Sequence, residues 1–238
     1  QGVNLGSRAL GLYGVASADQ ATQERTIEIS AAVATRMARV AGSDPVATQT
    51  QLAGALRSLG WGVDRLPELE DTISYISRQT GQAPTELLGA VSNIATLGTQ
   101  SGFTPQMLAA LVAQVGTTTG QNPEATAGQF RQLLSRNVSE IAPKASEIVG
   151  QELDATTLEG VFAQVAAINA AGDLTADQLN RFASLFGKGG SQQVATILTQ
   201  QYGTVQSLAG DAQNPENVGF GRRAFAEAMT SVGNRFKQ

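Results

Sequence analysis

Four short stretches of this chain carry residue types that chemistry uses. Gly187-Lys188-Gly189-Gly190 sets a lysine among glycines, the composition of a phosphate cradle. Such a cradle needs G-x-x-x-x-G-K-[ST] after a strand, so that backbone N–H groups and the lysine converge on one phosphate. Neither the spacing nor a strand is present, and the stretch reads as a turn between helices. Asp173 and Asp177 are spaced faintly like calcium ligands, but the alternating acidic order of a calcium loop is missing, so they read as carboxylates at a helix start. Glu68, Glu70 and Asp71 crowd another helix start, where the macrodipole favours negative charge; general acid–base work would need a cleft around them. Arg222, Arg223, Arg235 and Lys237 make the last stretch basic, which reads as a solvated face rather than a phosphate or lipid contact.

What is missing narrows the chemistry further. Among 238 residues there is no His and no Cys. That removes Ser-His-Asp and Cys-His nucleophiles, His-based zinc sites, the commonest general base and any disulfide frame. Charged residues make up 15% and the net charge is −4, which argues against the basic face that sequence-specific nucleic-acid binding requires. No window reaches the ~20 apolar residues of a membrane span. Residues 161–171 come nearest and are interrupted by Gln164 and Asn169. No catalytic, cofactor-binding or metal residue is assigned, and the chain is expected to be non-enzymatic. It opens on Gln1 rather than Met with no signal peptide, so it is expected to be an excised or processed piece of a longer protein.

The elements that would position any site are punctuated by proline. Pro45, Pro84 and Pro123 step by 39 residues, and Pro67, Pro105 and Pro143 step by 38. Proline suits the first turn of a helix, where its missing N–H is an orphan anyway, and is hostile to a helix interior. Asp44, Thr104 and Asn122 place an N-cap residue directly before three of them. Thr80-Gly81-Gln82-Ala83-Pro84 returns 39 residues later as Thr119-Gly120-Gln121-Asn122-Pro123. Apolar residues between these marks keep helical spacing: Leu69, Ile73 and Ile76; Leu87, Leu88, Val91, Ile94 and Ala95; Leu108, Leu111, Val112 and Val115; Phe130, Leu133 and Leu134. Two helices per ~39 residues is a helical-hairpin repeat, and stripes this short bury themselves only by stacking.

The flanks follow the same logic. Residues 1–17 read as a loop or short helix packed on the body. Residues 19–40 read as a helix capped by Asp19, with Ile29, Val33, Met37 and Val40 on one stripe. Trp61, the single tryptophan, lies between Gly60 and Gly62 and reads as a structural plug. Residues 154–169 read as a helix carrying Leu158, Val161, Phe162, Val165 and Ile168, stopped by Gly172. Thr175 and Gln178 form a capping box before Leu179, Phe182 and Phe186. Ser191 reads as the cap of a helix with Val194, Ile197 and Leu198, and residues 210–221 as a polar loop. A last helix carries Phe225, Met229, Val232 and Phe236, a narrow seam suited to a partner helix. It is expected to be where the chain extends or meets copies of itself, or else to fold back on Val194, Ile197 and Leu198.

Several of these stretches, taken in order, resemble the core of phage tail tape-measure proteins. Thr119-Gly120-Gln121-Asn122-Pro123-Glu124-Ala125, followed by Gly128-Gln129-Phe130-Arg131-Gln132-Leu133-Leu134-Ser135-Arg136, is similar to that family's glycine, proline-led helix start and arginine- and leucine-rich helix. Residues 158–171, then Leu185-Phe186-Gly187-Lys188-Gly189-Gly190 with Ala195-Thr196-Ile197-Leu198, then residues 225–237, resemble its next pieces in the same order. The resemblance covers residues 59–238; residues 1–58 match less clearly. It implies a structural virion protein lying in the tail-tube lumen, setting tail length, and released at infection to assist DNA delivery. Implied partners are tail tube, tail tip or baseplate proteins, tail assembly chaperones, further copies of the chain and, at infection, the host envelope. The implied locations are the phage tail and, during assembly, the host cytoplasm. The long heptad rods and apolar spans of full-length members are missing, so this piece corresponds to the compact core alone.

A helical-repeat scaffold or adaptor that binds a peptide or protein partner in a concave groove is the alternative. An enzyme with an atypical carboxylate site is a third, which the lack of His and Cys disfavours. The expected fold is all-α, with helical hairpins stacked as an irregular bundle or short solenoid. Its parts are an N-terminal segment and helix (1–42), the proline-punctuated hairpins (43–150), and a C-terminal helical part ending in an amphipathic helix (151–238). A far-UV circular dichroism spectrum dominated by helix is the expected outcome; a strand-dominated spectrum would contradict the assignment.

Overall fold

Where the backbone has a strong local reason to start or stop a helix, it does so. The computed structural model describes residues 5–235, and all regular structure among them is helical. The helices are α1 (Leu5–Leu12), α2 (Gln20–Ala41), α3 (Pro45–Leu59), α4 (Leu66–Thr80), α5 (Pro84–Gln100) and α6 (Pro105–Thr119). They continue as α7 (Pro123–Leu134), α8 (Val138–Val149), α9 (Leu158–Ala170), α10 (Ala176–Ser184), α11 (Gly190–Gln213) and α12 (Phe220–Arg235). Single 3-10 turns lie at Val63–Arg65 and Pro215–Asn217.

Five of the six spaced prolines open helices α3 to α7. Asp44, Thr104 and Asn122 accept hydrogen bonds from the backbone N–H groups of Val46, Met107 and Ala125, which satisfies donors that no turn precedes. Gly81 and Gly120, the two glycines related by the repeat, close α4 and α6 at φ of 74° and 69°, a backbone that residues with a Cβ adopt at a cost.

The repeat is visible as a contact register. Thr96 in α5 donates to the carbonyl of Ser58 in α3 at 3.2 Å, and Gln106 in α6 to Glu68 in α4 at 3.1 Å; each pair is 38 residues apart. Thr117 reaches the Thr80 carbonyl, 37 residues back. Thus α3 runs parallel to α5, and α4 parallel to α6. Between them α5 and α6 are antiparallel: Gln82, just before α5, bonds Thr117 late in α6, while Gly98 late in α5 lies against Leu108 early in α6. Helices α3, α5 and α7 pack as one layer, and α4 and α6 lie beneath it.

At the centre is α6. Leu108, Ala109, Ala110, Leu111, Val112, Ala113 and Val115 are all buried, so before its last turn it presents no water-facing stripe and must be enclosed there. It packs on α4, α5, α7 and α11. One continuous set of buried side chains runs from Val33 to Ala212. Phe162, Phe182 and Phe186 join α9 to the α10–α11 turn, with ring centroids 4.8 to 5.4 Å apart. The capping box at Thr175 and Gln178 is formed in both directions, and Asp19 caps α2. Short α1 packs on α2 and α3.

Several boundaries differ from expectation, each for a local reason. Pro143 is not a helix start but lies inside α8. Asn137 caps that helix earlier by accepting from Ser139 N–H, and exposed Pro143 leaves a carbonyl one turn back to water. Residues 154–157 stay outside α9, which Thr157 caps through Gly160 N–H. Gln164 holds Asp154 there through both its N–H and its carbonyl. Gly189, not Ser191, is the cap position of α11. Nor is 210–221 a loop: α11 continues to Gln213 on buried Ala209 and Ala212, and α12 begins at Phe220. In α2, Val33 and Met37 are buried but Val40 is 41% exposed. The last helix folds back across α2 and α4, not onto Val194, Ile197 and Leu198, which are buried elsewhere. Phe225 is half-buried and Met229 is exposed. Phe236 and the side chain of Val232 lie outside the described residues.

The packing predicts opposite effects for two glycine-to-alanine changes. In Gly98→Ala the new Cβ would lie 2.5 Å from the fully buried Leu108 side chain, lowering stability by about 1–3 kcal/mol. In Gly128→Ala, where nothing lies within 4 Å, helix propensity should raise stability by about 0.5–1 kcal/mol. Urea unfolding of the two variants measures both.

Candidate functional site

The chemistry-bearing residues do not converge. Glu68, Glu70 and Asp71 share one helix start yet each faces a different partner. Glu68 receives the Arg65 guanidinium through both carboxylate oxygens, at 2.9 and 2.7 Å, and the Gln106 amide at 3.1 Å. Glu70 points inward and takes a two-pronged bond from Arg36 on α2, at 2.7 and 2.5 Å. Asp71 turns toward α12 and accepts the N–H groups of Gly219 and Gly221 at 2.6 and 2.9 Å. Glu68 and Asp71 both line the groove beside Trp61, but each carboxylate is taken up by donors of its own, which is not the arrangement of a general acid–base pair.

Glu70 is the most constrained ionisable group of the three. Its side chain is 2% exposed and that of Arg36 19%. Burial pushes the Glu70 carboxyl above its ordinary value against the pull of the Arg36 guanidinium, while the hydrogen bond that Arg36 donates to Glu70 holds Arg36 above its own. The planar fork of arginine matches a carboxylate in two places, which is how such a pair is tolerated away from water. Sequence reading misses it because the partners are 34 residues apart and Arg36 sits among the polar positions of α2.

The other chemistry-bearing stretches resolve as structure. Gly187 and Gly189 adopt φ of 115° and 69° in the turn that starts α11, and Lys188 points to solvent. Asp173 and Asp177 are exposed on either side of the Thr175 cap. Arg223 folds back onto the carbonyls of Val218 and Glu216; the side chain of Arg235 and Lys237 lie outside the described residues. Trp61 is half-buried, with the Arg65 guanidinium 3.6 Å above its ring, a stacked pair that seals the α3–α4 corner. Among the described residues no three acidic side chains lie together as metal ligands, and no helix is long and apolar enough to cross a membrane.

Several grooves open on the described residues, and two of them cross the helices discussed above. One, of about 540 Å³, crosses α3, α5 and α7 among Gln51, Gly54, Gly89, Asn93, Asn122 and Glu124. The other, of about 620 Å³, lies between Trp61, Arg65, Gln106, Asn214, Asn217 and Val218. Both are open to solvent and mixed in polarity. Comparison with protein-family models, with curated proteins and with solved structures finds no match for this chain.

The buried pair predicts a specific mutational pattern. Arg36→Ala leaves a carboxylate buried without a partner and should lower unfolding stability by about 3–5 kcal/mol, whereas Arg36→Met combined with Glu70→Leu should be near neutral. Denaturant midpoints of the single and double variants check this.

Proposed function

We propose that this chain is a structural, non-enzymatic virion protein: the compact core of a phage tail tape-measure protein, which helps set tail length and is released at infection to assist DNA delivery. The observation that carries the reading is the ordered run of resembling stretches in residues 119–136, 158–171, 185–198 and 225–237. These stretches coincide with α7, α9, the α10–α11 turn and α12, so the shared wording falls on helices and turns rather than on a catalytic centre. The all-α build and the divergence of Glu68, Glu70 and Asp71 to separate partners support a structural role. Tail tube, tip or baseplate proteins, assembly chaperones and further copies of the chain are its partners, with host-envelope contact at infection.

A second reading is favoured by a different observation. The 38-residue register lines α3, α5 and α7 side by side under an open groove, the geometry with which helical repeats hold a peptide. On that reading the chain is a scaffold or adaptor.

One experiment separates the two. Virus particles encoding the chain should yield its peptides from the purified tail fraction by mass spectrometry, and disruption of the gene should leave tails absent or without a set length. Normal tails from the disrupted gene, with the chain recovered only outside particles, would overturn the tail reading in favour of the adaptor.

A further inference from the structure

Helix α12 is attached to the molecule differently from every other long helix. None of its described side chains belongs to the continuous buried core. Ala226, Glu227, Met229 and Thr230 are exposed. Among the described residues, its side-chain and capping contacts to α4 run from Gly219 to Glu227. Asp71 accepts Gly219 and Gly221 N–H, which satisfies N-terminal donors and places a negative charge at the positive end of the helix dipole. The Phe220 ring meets Tyr75 edge-on with centroids 5.4 Å apart. Arg78 pairs with Glu227 at 2.9 Å, both side chains more than half exposed. Gly221 is buried against Glu70, close enough that a Cβ would lie 2.6 Å from Glu70 Cγ.

The link that precedes it is short and polar. α11 ends at Gln213, and Asn214 leads into the 3-10 turn Pro215–Asn217, followed by exposed Val218 and left-handed Gly219. Arg223 clasps the Glu216 and Val218 carbonyls, so the turn and the first part of α12 form one piece. A helix whose described side chains all lie outside the common core belongs to the low-stability end of the opening spectrum.

We propose that α12 is a releasable strap: with its preceding turn it lifts off α2 and α4 as a unit while the remaining helices stay folded. Lifting uncovers the Arg36–Glu70 pair and Tyr75 on the α2–α4 face. Asp71 is the latch, because one carboxylate serves both N–H groups. The strap does not depend on the proposed tail role.

Hydrogen exchange of the whole protein, read by mass spectrometry, tests it. In the unaltered chain the amides of residues 224–230 should exchange through a smaller opening than those of α4 and α6. Asp71→Asn weakens the latch and Gly221→Ala forces the helix away from Glu70. Each should speed exchange at 224–230 by roughly tenfold or more, with α4 and α6 changed less than about twofold. Protection of 224–230 equal to that of α4 in the unaltered chain, with both variants accelerating α4, α6 and α12 alike, would overturn the proposal, because α12 would then open only with the whole bundle.

Discussion

From Gln106 to Ala113 helix α6 has no side that water can face, and the remaining helices are arranged by that constraint. From Leu108 to Val115 its apolar side chains are all buried, so neighbours must close around it on every side. Alanines at 109, 110 and 113 keep it slender. Gly98 lets α5 approach Leu108, since any Cβ there would collide with it. The prolines and caps set where each neighbour begins, and the need to enclose α6 sets where each comes to rest. Low aromatic content is no handicap in such a core, because close packing of Leu, Val, Ile and Ala supplies dense contact without large rings.

Outside that core the molecule uses polar devices to join elements far apart in sequence. Arg36 and Glu70 tie α2 to α4, Asp71 ties α4 to the start of α12, and Gln164 pins the extended stretch before α9. Gln201, at the one non-helical backbone position inside α11, accepts bonds from Gln114 and Thr118 on α6, so the bend of α11 follows the helix it covers. Tyr202 beside it donates to Glu159, and burial pushes its phenol above the ordinary value. Every one of these carboxyl and amide groups has a structural partner.

Legibility in the sequence tracks the range of the interaction. The starts of α3, α6 and α7 were readable because closing glycine, cap and proline act within four residues of each other. The capping box at Thr175 was readable for the same reason. Pro143 misled because Asn137, an ordinary cap six residues earlier, takes precedence when the proline ring can face solvent. The continuation of α11 was hidden because Ala209 and Ala212 form a stripe too small to stand out from a polar background. The Arg36–Glu70 pair had no local signal at all, and the docking of α12 on α2 and α4 depends on contacts nearly 150 residues apart in sequence.

The central claim is that helices pair in a 38-residue register around α6, and the absence of native cysteine allows a direct measurement. Gly54→Cys with Ser92→Cys places two sulfurs on facing positions of α3 and α5, where a Cβ at 54 already meets Ser92 Oγ at 3.6 Å. Mild oxidation of the folded chain should close this bridge, whereas Gly54→Cys with Gly89→Cys, a pair slipped by about one turn, should stay open because disulfides tolerate little mismatch in Cβ separation. Closure of the slipped pair, with the 54–92 pair remaining free, would contradict the register and the account built on it.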